Sequence, residues 1–247
     1  MVKSLAAGLL FGLVSLPLAA AQWQGVVDWS QRTELGTAVS GVVDKVLVAP
    51  GERVKKGQQL LLLEQGALRA RLEQYRAEVK YKGLLRKEAA RELERAEELY
   101  ARTLLADHDL DLAKVAYAEA EAAYQASRAE VAQAEESLAQ SRIVAPFDAV
   151  VIARRVQPAQ TIVSRCQVEP LLTLAAAGRM RVRFTVSAAE LPALGKAATV
   201  EVAGERYRGT VVAVGFEAGG EDGYPVEVEF ATERQLRAGQ GAAITMP

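Results

Sequence analysis

Two stretches 108 residues apart carry the same pattern, and a chain that repeats a half-motif at that distance must bring the copies together. SGVVDKVLVAPGERV (Ser40 to Val54) and DAVVIARRVQPAQTI (Asp148 to Ile162) align with Val42 on Val150, Val43 on Val151, Pro50 on Pro158 and Val54 on Ile162. Alternating valines mark strands with one buried face, and a proline at the same place in both copies sets the first corner of a turn. Two such halves predict one β domain with two-fold-like symmetry. The copies differ in glycine: the first has Gly41, Gly51 and Gly57 where the second has Ala149, Ala159 and Arg165. A type II turn needs positive φ at the place of Gly51, which alanine resists. The Pro158-Ala159 corner is therefore expected to be a type I turn or an opened loop. RCQVEP lengthens the loop before Leu171 by about three residues relative to the first copy.

A long helical pair separates the copies. From Leu68 a 4-3 spacing runs through Leu72, Tyr75, Val79, Lys82, Arg86, Ala89, Leu93 and Ala96 to Tyr100. From Ala113 it runs through Tyr117, Ala120, Tyr124, Ser127, Val131, Ala134 and Leu138 to Ser141. A 3.5-residue repeat sustained this long is the pattern of a coiled-coil seam. Only LLADHDLD connects the arms, so they are expected to fold back as an antiparallel hairpin roughly 50 Å long at about 1.5 Å per residue. Alanine on the second arm allows close approach, while Lys82 and Arg86 interrupt the first arm's stripe midway.

After Arg179 the pattern changes. RMRVRFTV, AATVEVAG, RYRGTVVAVGFE, YPVEVEFA and GAAITMP read as short alternating strands separated by glycines, with AAELPAL as a short helix between the first two. Short strands at close spacing predict a small antiparallel barrel or sandwich.

Residues 1–21 read as an export signal. Lys3 precedes an apolar run from Leu5 to Leu18, and Ala19-Ala20-Ala21 supplies a cleavage pattern. An uncleaved anchor is opposed by Gly8, Gly12 and Pro17 in a run shorter than the ~20 residues that span a bilayer. The chain's net charge of −1, or −2 without Lys3, leaves no electrostatic footprint for nucleic acid. Cys166 is the only cysteine, which excludes an intrachain disulfide and a cysteine metal cluster. It is expected to be a buried small hydrophobe.

The first half, SGVVDKVLVAPGERVKKGQQLLLLE, is similar to the approach to the lysine-bearing turn of a lipoyl or biotinyl carrier. Gln65-Gly66-Ala67 stands where that lysine would be, and no methionine is near. Signal, half-lipoyl domain, hairpin, half-lipoyl domain and barrel, in this order, resemble the hemolysin-D-like periplasmic adaptor, or membrane fusion protein, family of tripartite efflux pumps. The resemblance covers roughly Val39 to Gln240 and is carried also by SRIVAPFDAVVIARRV, RMRVRFTVSAAELPAL and LRAGQGAAITMP. It implies an α+β multi-domain fold: a lipoyl-like β domain split by an antiparallel coiled-coil hairpin, followed by a small antiparallel β-barrel. The corresponding segments are a signal peptide at 1–21, N-terminal strands and first lipoyl half at 22–65, the hairpin at 66–142, the second half at 143–177 and the barrel at 178–247.

Family adaptors link an inner-membrane transporter, here expected to be of the resistance-nodulation-division type, to an outer-membrane channel, and assemble as rings of six. The resemblance implies the same partners here, a periplasmic location, no cofactor and no catalysis. Many adaptors add a membrane-proximal domain built from both termini. With only Gln22 to Leu35 ahead of the first half-motif, that domain is expected to be absent or reduced to a strand pair. Adaptors that dock tip to tip carry an Arg, a Leu four residues later, a Ser seven after that and an Asp five further on. The matching positions are Arg95, Leu99, Ala106 and Asp111, with alanine in place of the serine. These four and Asp107 form the expected channel-facing tip, Asp107 capping the second helix in the serine's stead.

ADHDLD in the tip sets three aspartates around the only histidine, His108. A calcium loop would continue with Gly and a distant Glu, whereas helix follows Leu112. Acidic side chains at a helix start suit its exposed amides and dipole. No Gly-x-Ser-x-Gly elbow, His-Glu-x-x-His helix or phosphate-cradling loop is present, which disfavours an enzyme. The alternatives are an adaptor for an ATP-driven transporter or type I secretion system, and a periplasmic ligand- or metal-binding module, which would need a convergent site.

Overall fold

A computed structural model describes residues 22–164, 169–219 and 223–246. The export signal and Cys166 lie outside the described residues. The chain divides into two compact units, one of residues 31–177 and one formed by 1–30 with 178–247.

In the first unit, β2 (Arg32–Leu35), β9 (Leu172–Ala176), β7 (Ala149–Arg154) and β4 (Arg53–Val54) form one four-stranded sheet in that order. A second sheet has the order β6 (Arg142–Val144), β5 (Gln59–Leu63), β3 (Gly41–Val46) and β8 (Thr161–Ile162). The repeat is visible strand by strand, since β3 and β4 become β7 and β8 when 108 is added to each residue number. Each copy lends a strand to the other: β4 pairs with β7, and β8 with β3. A register shift between Val43 and Lys45 recurs between Val151 and Ala153. Val43 faces Leu63 whereas Val151 faces Leu174, so beyond the turn the offset has grown from 108 to 111; residues 165–168 of RCQVEP lie outside the described residues. Val43, Val151, Leu60, Leu61, Leu63, Leu172 and Leu174 fill the core.

The turn at Ala159 departs from expectation. Its φ is 65°, in the left-handed region, as Gly51 is at 90°. Both corners close in the type II manner, Glu52 N–H donating to the Ala49 carbonyl and Gln160 N–H to that of Gln157. The cause lies across the two-fold: Gly51 N–H donates to the Val151 carbonyl and Ala159 N–H to that of Val43, each at 2.8 Å. Val151 N–H and Val43 N–H return bonds of 2.9 Å to the carbonyls of Glu52 and Gln160. These buried strand amides must be satisfied, and that need outweighs the cost of about 1–2 kcal/mol for holding alanine in the left-handed region.

Between β5 and β6 rise α1 (Gly66–Ala101) and α2 (Asp107–Gln140), 36 and 34 residues long. They run antiparallel and are joined by Arg76–Glu135 and Arg86–Glu121 ion pairs. Every position of the 4-3 stripe on both arms is buried or half-buried except Tyr100. The connector is shorter than expected: helix resumes at Asp107, which places Asp107, His108, Asp109 and Asp111 on α2. Gly83 lies inside α1 and faces the Tyr124 ring.

The second unit is a closed barrel in the order β1 (Gln22–Trp29), β10 (Arg179–Val186), β13 (Tyr224–Ala231), β12 (Glu205–Val214), β11 (Ala197–Val202) and β14 (Gly241–Thr245). β1, read from sequence together with the first lipoyl half, instead closes this barrel by pairing with both β10 and β14. Its inward Val27 joins Val182, Val200, Val228 and Ile244 in a fully buried core. Without β1, the facing edges of β10 and β14 would present unpaired backbone groups. AAELPAL contributes only a single 3-10 turn at Ala188–Glu190.

Candidate functional site

The hairpin tip gathers the five residues marked by the sequence. α1 ends in a Schellman arrangement, Leu104 N–H donating to the Leu99 carbonyl (2.9 Å) and Thr103 N–H to that of Tyr100 (2.8 Å). Thr103 supplies the left-handed residue at φ 60°, a place glycine usually takes. Ala106 is the N-cap of α2, extended at φ −80° and ψ 154°, with no capping side chain. Asp107 does not take over that cap. Its carboxylate instead lies beside Tyr100 and raises that tyrosine's pKa above its ordinary value. Asp107 and Asp109 still place negative charge in the first turn of α2, where the dipole favours it.

Arg95 and Asp111 each find partners within their own helices. Both carboxylate oxygens of Glu92 accept from Arg95 Nη1, at 2.7 and 2.9 Å. Lys114 Nζ lies 3.0 Å from Asp111 Oδ1. Leu99 is 37 % exposed, and Leu104, which the sequence reading did not single out, is 70 % exposed between the helices. The tip thus presents apolar side chains from a short, hydrogen-bonded turn, with charges paired along its flanks. Its signal in the sequence was LL just after Arg102-Thr103, two leucines in a connector with little helix to bury them.

Midway along the pair, Arg86 and Tyr124 replace apolar packing. The guanidinium sits 4.5 Å from the ring centroid, with Arg128 at 5.9 Å and Glu121 within 3.3 Å of Arg86 Nη1. Hydrogen bonding from Gln125, then the charge of Arg86, hold the Glu121 carboxyl below its ordinary range. At the base, buried Gln65 donates from Nε2 to Ser141 Oγ (2.7 Å), which donates to the Leu138 carbonyl (2.6 Å). Gln65 Oε1 accepts from Arg69, and Thr37 Oγ1 donates to the Gln140 carbonyl. A polar clamp thus holds the two helices together where they leave the β domain.

Among the described residues no group of three or more His, Cys, Asp or Glu side chains could hold a metal ion, and no helix is long and apolar enough to cross a membrane.

Comparison with known proteins agrees with this geometry. The membrane fusion protein Spr0693 of Streptococcus pneumoniae R6 superposes with a TM-score of 0.71 at 13% identity, over 92% of this chain and 99% of that one. A MacA–MexA chimera carrying the Pseudomonas aeruginosa MexA α-hairpin domain gives 0.68 at 22% identity, over 92% and 78%. ZneB from Cupriavidus metallidurans gives 0.52 at 19%, over 92% and 70%. At these identities the likeness establishes the fold. A search of curated protein sequences gives no match. The CzcB-like barrel-sandwich hybrid domain matches residues 31–169, more than half of the chain and nearly all of the unit that carries the hairpin, and the chain belongs to that family, with the fold of membrane fusion proteins.

Proposed function

We propose that the protein is the periplasmic adaptor of a tripartite efflux pump, a scaffold without catalytic chemistry that links an inner-membrane transporter to an outer-membrane channel. The observation that carries this reading is the inserted helical pair: two helices of 36 and 34 residues rise from the β domain where a carrier's reactive tip belongs. Their stripe is covered along nearly its whole length, as a coiled-coil hairpin requires. Such a pair provides reach and a small docking end, about 50 Å from its base at 1.5 Å per residue. Leu99, Leu104 and Ala106, with Arg95, Asp107 and Asp111 around them, form the channel-facing end, and the barrel faces the transporter. Copies assemble as a ring of six around the conduit, following exporting adaptors of this architecture.

Site-specific photocrosslinking from position 106 in the native host tests this. Capture of an outer-membrane channel is expected. Adducts only with other copies of the chain, or none at normal expression, would overturn tip docking.

A further inference from the structure

One end of the barrel is apolar, while charge is kept to the rest of its surface. At this end residues 187–196 join β10 to β11 and residues 215–223 join β12 to β13, and β1 starts and β14 stops beside them. Phe216 is 98% and Leu194 67% exposed, and Leu191 and Val212 stand open at the same end. Of the barrel's large apolar side chains that are exposed among the described residues, only Val26 lies elsewhere. Singly exposed apolar residues are ordinary, whereas several gathered at one end mark a contact surface.

The loops that carry these side chains are tied down. Gly195 N–H donates to the Val211 carbonyl at 2.9 Å, Gly215 N–H to that of Pro225 at 2.7 Å and Gly219 N–H to that of Gly223 at 3.0 Å. Phe216 therefore projects from a held loop and is seated in no pocket. Behind the tips, every strand turns an uncharged side chain outward. These are Gln22 on β1, Thr185 on β10, Pro225 on β13, Val212 on β12, Ala197 on β11 and Thr245 on β14. Charge begins further along the same outward rows, at Asp28, Arg183, Glu227, Arg208 and Glu201. There Arg183 pairs with Asp28 and Glu227, and Glu201 with Arg206.

We propose that this end of the barrel seats on a lipid bilayer, with Phe216 and Leu194 entering the acyl boundary. Apolar tips, then a neutral collar, then ion-paired charge is the order of environments on leaving a bilayer: acyl chains, headgroups, water. A protein partner would more often be met by an aromatic anchored in a packed, desolvated pocket. The entry of the chain agrees, since the apolar run Leu5–Leu18, which reads as an export signal, leads into β1 at this same end through Ala19-Ala20-Ala21. Glu190 and Glu217 against Lys196 leave no excess of positive charge among the described loop residues, so the headgroups it fits are zwitterionic rather than anionic. This goes beyond the adaptor reading and does not depend on the hairpin tip.

A tryptophan placed at the rim tests it. In the full chain with Trp23→Phe and Trp29→Phe, Phe216→Trp is compared with Val26→Trp on phosphatidylcholine vesicles with and without bromine on the acyl chains. Quenching by the brominated lipid at 216 and not at 26 is expected. Adding Leu194→Ser, an exposed change that should leave the circular dichroism as it was, is expected to raise the lipid concentration for half quenching about tenfold. Quenching at neither position, or equally at both, would overturn the proposal, and so would quenching that needs phosphatidylglycerol or vanishes as salt is raised. Photocrosslinks from position 216 to an inner-membrane protein in the host, without quenching in vesicles, would make the rim a protein-docking site instead. Quenching at 216 with no channel capture from position 106 would refute the adaptor reading and leave this one standing. Capture without quenching would do the reverse.

Discussion

Gly51 and Ala159 occupy the same place in the two halves of the β domain, each donating at 2.8 Å to the carbonyl of a valine in the other half. Both are left-handed, at φ 90° and 65°, and only one is glycine. The alanine therefore carries strain that the glycine does not. Ala159→Gly relieves it, offset in part by the greater freedom glycine has in the unfolded chain, and should stabilise the domain by about 0.5–1 kcal/mol. The converse Gly51→Ala meets no atom within 4 Å and should cost a similar amount through backbone strain alone. Urea unfolding of both variants measures the pair. Equal effects of the same sign would show that the two turns are not energetically equivalent.

The clamp at the hairpin base gives a second prediction. Ser141 is fully buried and Gln65 nearly so, and each satisfies the other. Ser141→Val leaves the Gln65 amide without its acceptor and should cost about 1–3 kcal/mol. Removing both polar ends in Gln65→Leu with Ser141→Val should recover part of that loss, because the penalty belongs to the unpaired group. A double-mutant cycle read by denaturant midpoints measures the coupling. Additive losses would mean that the clamp is not a unit.

The repeat and the covered stripe of the two helices were legible because each is periodic: an offset of 108 and a 4-3 spacing are arithmetic on the chain itself. Ala159 was misread because local preference was weighed without the four hydrogen bonds that cross from the other half. β1 was grouped with the first lipoyl half by position alone, since QWQGVVDW alternates equally well for either unit and its partners β10 and β14 begin more than 150 residues later. Nothing in the spacing marked Tyr100 as the partner of Asp107, so capping looked the simplest use of that carboxylate. The repeat of Glu52 in Gln160, whose side chains accept from Ala49 N–H and Gln157 N–H, was present in the sequence and passed unnoticed.

Acid should loosen the middle of the helical pair. Hydrogen bonds from Gln125 and the charge of Arg86 lower the folded-state pKa of Glu121. The stability this contributes is present above the unfolded carboxylate pKa of about 4.3 and is lost as pH falls through the depressed folded value. Comparison of wild type with Glu121→Gln over pH 3 to 6, by thermal unfolding followed at 222 nm, isolates the contribution, since ~0.15 M salt screens exposed pairs elsewhere about equally. The difference between the two proteins should shrink toward the acid end. A gap that stays constant would mean that Glu121 stabilises by packing rather than by charge.

The sharpest local strain is at Thr103, a β-branched residue at φ 60° in the position of a helix-ending glycine. Thr103→Gly should stabilise the end of α1 by about 1 kcal/mol, since the left-handed conformation costs an L residue roughly 1–2 kcal/mol and glycine nothing. The gain is local: amide exchange should slow at Thr103 and Leu104, whose N–H groups donate to the Tyr100 and Leu99 carbonyls, and stay unchanged in the barrel. Strain kept where a turn presents Leu99 and Leu104 is expected to serve docking, by holding the connector in one of several accessible shapes. If so, Thr103→Gly raises stability while reducing channel capture from position 106. Undiminished capture by the stabilised variant would show that the strain at Thr103 has no part in docking.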